Sequence, residues 1–240
     1  MRYRVMGSGE PVILVHGLSG SILWWTRNIA SLAQHYAVYL VDLPGFGTLA
    51  RRQHFALTGA ADWLLEWLQA VGLTRANWIG HSMGGYICIQ IAARRPEVVK
   101  RLVLVAPAAL PVGHRWQNYL LPLVEATRYM QPSFLPILFY DAVRAGPLTL
   151  LRATKDLLAK DVREDARSIQ APTLLIWGAN DTLVPAALGD ILRKEIAGSR
   201  LLILKRAGHV VMYDRSQAFN EAVLAFLTEP FDQQRRPPGV

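Results

Sequence analysis

The chain has 240 residues, enough for one large domain or a domain carrying an insertion. Its 52% hydrophobic content excludes a disordered chain, and no apolar run reaches the ~18 residues that a membrane span needs. The net charge of +8 raises nucleic-acid binding, but the basic residues fall in scattered pairs such as Arg51–Arg52, Arg94–Arg95 and Arg235–Arg236, a pattern of solvated surface.

The opening stretch, "MRYRVMGSGEPVILVHG", breaks its apolar run at His16 and has no signal-peptide core or cleavage site, so cytoplasmic residence is expected. "PVILVHG" (11–17), "YAVYLVDLPG" (36–45), "ANWIGHS" (76–82) and "RLVLVAP" (101–107) read as four strands apolar on both faces, as in a parallel sheet covered by helices. Between them, "WWTRNIASLAQ", "LTGAADWLLEWLQAVG" and "MGGYICIQIAARRPEVV" carry helical patterns, the last ended by Pro96. This alternation predicts a doubly wound, mostly parallel α/β sheet. Cys88, the single cysteine, falls on the apolar side of the helix after Ser82 and reads as a buried structural thiol.

Residues 108–168 carry no convincing strand, only helical segments punctuated by prolines, and read as an all-helical insertion of about sixty residues. Strand signals return at "APTLLIWGAND" (171–181) and "SRLLILKRAGH" (199–209), on either side of a helical "PAALGDILRKEIAG". "SQAFNEAVLAFL" makes a last amphipathic helix, and the proline-rich "EPFDQQRRPPGV" reads as a frayed tail. The expected organisation is a core of 1–107 and 169–240 interrupted by a helical cap at 108–168.

"GHSMG" (80–84) ends a buried strand and begins a helix. A sharp turn there strains the central backbone, lifts the Ser82 hydroxyl clear and requires small residues two before and two after, which Gly80 and Gly84 supply. A serine N-cap explains the position but not both glycines. A serine needs a base and the base an orienting acid. Of six histidines, His209 in "RAGHVV" follows the final strand at the sheet edge where the other functional turns lie. His16 and His81 adjoin backbone turns and are expected to point elsewhere. Asp181, after the strand at 173–178, is the candidate acid; Asp42, its rival, is expected to hold turn backbone instead. The order Ser82, Asp181, His209 is the order of an α/β-hydrolase triad. The backbone N–H groups of Met83, at a helix start, and Leu18, in "HGLSGS", are the candidate oxyanion donors.

Together "HGLSGS", "DLPGFG", "GHSMGG", "WGANDTLVP" and "AGH" resemble the α/β-hydrolase superfamily, in order over roughly residues 3–228. The resemblance implies a serine esterase without cofactor or metal, with Ser82, Asp181 and His209 as catalytic residues, Leu18 and Met83 at the oxyanion hole, and 108–168 as the cap. It departs at Thr48, often Ser in relatives, and at Asp214 and Arg215, where many show Glu-x-Pro; neither departure is expected to touch the chemistry. The family's first strand has no counterpart at the amino terminus, which implies a shortened sheet. Serine at position 82 excludes the aspartate-nucleophile dehalogenases and epoxide hydrolases.

The cap is expected to line the pocket, with Trp116, Tyr119, Phe134 and Leu138 as candidates and Trp24 as an added aromatic wall. The expected substrate is a small or medium, mostly apolar ester, handled by a monomer or dimer. Three other readings stay open: a C–C bond hydrolase of meta-cleavage type, using cap arginines such as Arg115, Arg128, Arg144 or Arg152; a lactonase or perhydrolase; and a non-catalytic ligand receptor.

Overall fold

The computed structural model describes residues 2–50, 55–108, 110 and 125–230. Seven strands form one sheet: β1 (Tyr3–Met6), β2 (Glu10–Val15), β3 (Tyr36–Val41), β4 (Ala76–His81), β5 (Val99–Val105), β6 (Thr173–Gly178) and β7 (Arg200–Leu204). Their order is β1-β3-β2-β4-β5-β6-β7, parallel throughout except for β1, which runs antiparallel to β3. The chain therefore leaves β2 outward to β3, returns past β2 to β4, and winds on in the opposite direction. That reversal sets the carboxyl ends of β2 and β4 side by side, where ligands bind in open α/β sheets.

Alternation within the strands divides the core into two layers. Ile13 and Val15 face one side, with α2 (Ala60–Ala70), α3 (Met83–Arg94) and α7 (Ala187–Glu195); Val12 and Leu14 face the other, with α1 (Ile29–Leu32), α8 (Val211–Asp214) and α9 (Ser216–Thr228). Burial on both faces explains the unbroken apolar runs of β2, β4 and β6. β1 escaped the hydrophobic reading because all four of its residues are exposed; backbone pairing with β3 holds it.

Helices α4 (Leu135–Ala145), α5 (Pro147–Leu158) and α6 (Arg163–Arg167) lie between β5 and β6, preceded by 3-10 turns at Thr127–Tyr129 and Pro132–Phe134. The insertion is helical over the residues described; its first part, 111–124, with Arg115, Trp116 and Tyr119, lies outside them, as does the tail from 231. Gly146 separates α4 from α5 at a positive φ of 78°, a conformation that favours glycine. Among the described residues, no single helix is long and apolar enough to cross a membrane.

Cys88 is buried on α3, and burial pushes its thiol well above the ordinary range. It should resist iodoacetamide in the native protein and react fully in denaturant. Fast native labelling, followed by mass spectrometry, would show a looser packing of α3 than this.

Candidate active site

Ser82 bridges β4 and α3 with φ 51° and ψ −115°, a backbone conformation that side chains rarely adopt. Two close approaches impose it. A Cβ on Gly80 would lie 2.5 Å from the Gly84 carbonyl oxygen and 2.7 Å from Cys88 Sγ, and one on Gly84 would press against the Val15 carbonyl oxygen. The helix can begin this close to the sheet only with glycine at both positions.

Three loops meet at this turn. His209 Nε2 lies 3.0 Å from Ser82 Oγ, and His209 Nδ1 lies 2.7 Å from Asp181 Oδ2. With Nδ1–H donating to the carboxylate, Nε2 is left to accept the Ser82 proton. The other carboxylate oxygen, Asp181 Oδ1, accepts from the backbone N–H groups of Leu183 and Val184, both at 2.9 Å. All three side chains are buried. The acid turn and the histidine loop are also tied by backbone: Ala179 donates to Leu204, and Asn180 donates to Ala207.

The candidate oxyanion donors sit at the ends of adjacent strands. Met83 opens α3, so its N–H has no partner within the helix. Leu18 follows Gly17 on the loop after β2, a turn closed by the Gly20 N–H donating to the Gly17 carbonyl. His16 fixes that loop: its Nδ1–H donates to the Gly17 carbonyl at 2.8 Å, while Nε2 accepts from the Leu43 N–H at 3.0 Å. That pair of contacts specifies one neutral tautomer, and burial lowers the His16 pKa accordingly. Asp42 accepts from the Ile22 N–H and from the Thr48 N–H and hydroxyl, holding turn backbone as its position suggested.

Three side chains shape the site in ways that the sequence concealed. His81 points toward the triad: its Nε2–H donates to the His209 carbonyl at 3.0 Å, and the two rings stand 4.8 Å apart. Burial, then the neighbouring His209, holds its pKa well below the ordinary value, so His81 adds no positive charge beside His209. Asp214 touches none of the three reacting side chains but supports the loop that carries one of them. Its Oδ2 accepts from the Gly208 N–H and its Oδ1 from the Gln131 N–H, both at 3.0 Å, so it pins the histidine loop to the insertion. Asp141, on the inner face of α4, accepts on Oδ2 from the Ser21 hydroxyl at 2.8 Å and from Trp24 Nε1 at 3.1 Å. It ties the insertion to the loop that carries Leu18.

Of the proposed pocket residues, Trp24 and Phe134 are buried with ring centroids 5.2 Å apart, and Trp24 lies 5.6 Å from the His81 ring. Leu138 is half-buried against the same core layer. Trp24 and Phe134 thus form an aromatic column from the insertion to His81, which stands beside His209, and packing accounts for much of their burial.

Comparison with known proteins matches residues 12–222 to the alpha/beta hydrolase family. A dihydrolipoyllysine-residue acetyltransferase component of an acetoin cleaving system, from Pseudomonas putida, is 30% identical over 91% of this chain, which spans 64% of that longer protein. A pimeloyl-[acyl-carrier protein] methyl ester esterase from Pectobacterium carotovorum is 28% identical, the match covering 93% of this chain and 97% of that one. Among solved structures, a membrane phospholipase A described as a bacterial virulence factor superposes with a TM-score of 0.83 at 26% identity, over 98% of this chain and 83% of the other.

Proposed function

We propose that this chain, which belongs to the alpha/beta hydrolase family, cleaves small to medium, mostly apolar carboxylic esters through an acyl-enzyme on Ser82. The observation that carries the reading is the continuous line Ser82 Oγ, His209, Asp181 at 3.0 and 2.7 Å, built on a strained strand-to-helix turn.

In this reading His209 Nε2 takes the Ser82 proton as Oγ bonds to the ester carbonyl carbon. The carbonyl oxygen becomes an oxyanion, received by the N–H groups of Leu18 and Met83; one such donor is worth about 3–4 kcal/mol elsewhere. Asp181 stabilises the imidazolium and keeps its tautomer. Collapse of the intermediate breaks the C–O bond to the alcohol, which leaves with the proton from His209. A water then gives its proton to His209 and attacks the acyl carbon, and Ser82 departs reprotonated as the carboxylic acid is released.

Two features support the reading. The aromatic column of Trp24 and Phe134 places low-polarity side chains against His81, one ring away from His209. Ester cleavage itself is supported by a relative named as a pimeloyl-[acyl-carrier protein] methyl ester esterase, which matches nearly the whole chain. The test is a panel of p-nitrophenyl esters of increasing acyl length, run beside a lactone and a dienoate diketone. Highest kcat/KM is expected on short-to-medium acyl chains. Preference for the diketone, or turnover of no ester above buffer, would overturn the assignment.

A further inference from the structure

The outward face of the insertion is apolar in an unusual concentration. Phe139 is 73% exposed, Leu151 58% and Leu148 57%, with Leu135 and Tyr140 also open to solvent, all within α4 and α5. Soluble proteins expose single large apolar side chains freely, but a cluster on two consecutive helices marks a contact surface. Phe139 and Leu135 stand four apart on α4, and Leu148 and Leu151 three apart on α5, so each helix presents a stripe and not one stray residue.

Charge decides what such a surface meets. On α4 and α5, Arg144, Arg152 and Lys155 are at least partly exposed, against Asp156 as the exposed carboxylate; Asp141 is buried and points inward. A second copy docked by two-fold symmetry would set this cationic patch against itself. An anionic lipid surface would neutralise it and take up the apolar stripes together. Arg144 already lies over the Tyr140 ring, with its guanidinium 5.3 Å from the centroid, an arrangement in which the stem covers apolar surface and the head stays wet. In this structure the two helices bend 96° apart at Gly146, and the eleven residues of α4 alone reach about 17 Å, short of a ~30 Å hydrocarbon layer, so their apolar stripes are read as a surface for adsorption.

We propose that the outer face of α4 and α5 is a docking surface for anionic lipid. The inner face of α4 holds Ser21 and Trp24 through Asp141. Adsorption therefore sets the loop beside Ser82 about one helix diameter, ~10–12 Å, from the lipid surface.

The experiment uses the full chain with Ser82→Ala, so that lipid is not consumed and binding is separate from hydrolysis. Sedimentation with phosphatidylcholine vesicles is compared with phosphatidylcholine–phosphatidylglycerol vesicles. Binding to the phosphatidylglycerol vesicles is expected, weakened on the order of tenfold by F139D/L151D and by R152E/K155E. In the Ser82 background both double variants should keep the parent's Tm and its turnover of a water-soluble ester. Absence of binding to the anionic vesicles, or equal binding by parent and variants, would overturn the proposal. So would self-association without lipid that F139D/L151D abolishes, because the face would then belong to a second copy.

Discussion

Ser82→Ala is expected to remove ester turnover by about 10⁶-fold in kcat, the scale set by loss of the nucleophile in a comparable triad. His209→Ala should cost nearly as much, because in the proposed mechanism Nε2, 3.0 Å from Ser82 Oγ, takes the hydroxyl proton. The discriminating measurement is the double variant. Groups that act as a unit are not additive, so Ser82→Ala/His209→Ala should fall little further than either single change. Asp181→Asn should lose about 10⁴-fold, since the amide would favour the wrong imidazole tautomer. If the single losses multiplied in the double variant, the two residues would be acting independently.

The same position carries a stability expectation of opposite sign. Ser82 holds φ at 51°, and alanine keeps the Cβ that makes this costly. Ser82→Gly removes it. Glycine should therefore give an inactive protein that is more stable than the alanine variant, by about 1 kcal/mol in urea titrations. Equal stability of the two would mean that the turn is not strained.

How much of this was legible depended on how local each cause is. The buried strands were readable because burial on both faces leaves an unbroken apolar run, as in β2 and β6. Ser82, Asp181 and His209 were readable because each follows a strand, and a parallel sheet brings such loops to one edge. β1 was silent because its side chains are largely open to water, and it is held by backbone pairing with β3 and by Tyr3 against Tyr39 and Trp67. The supporting residues were silent for another reason. His81 meets His209 across 128 positions of sequence, Asp141 meets Ser21 across 120, and Asp214 meets Gln131 across 83. No periodicity or spacing encodes such pairs: the first exists only once the sheet has formed, and the other two only once the insertion has settled on the sheet edge. Asp214 looked like a mere departure from the relatives' pattern, yet it carries the backbone of the residue before His209.

Asp141 is where these long-range contacts make the most exposed prediction. Burial raises its carboxyl from the usual 3.8 to about 6, against the opposing hydrogen bonds of Ser21 and Trp24, with Asp42 adding to the rise. Its second oxygen, Oδ1, is buried without a partner among the described residues. The folded protein thus holds a proton that the unfolded chain releases between pH ~4 and ~6, so raising the pH through that window destabilises the fold. A shift of this size corresponds to about 3 kcal/mol in all, of which about 2 falls between pH 4 and pH 7, because the unfolded carboxyl is already more than half ionised at pH 4. Asp141→Asn keeps an acceptor but does not titrate. Its stability relative to the parent should therefore climb by about 2 kcal/mol from pH 4 to pH 7 in urea titrations, whatever its offset at pH 4. Parallel stability curves would remove Asp141 as a buried ionised group. Asp141→Leu separates cost from use: it removes the charge and the latch together. If the carboxylate is kept because it orients the loop carrying Leu18, the leucine variant should be at least as stable at pH 7 yet lose on the order of tenfold in kcat, with KM changed less. A variant both more stable and fully active would mean that the buried charge serves no purpose in the reaction.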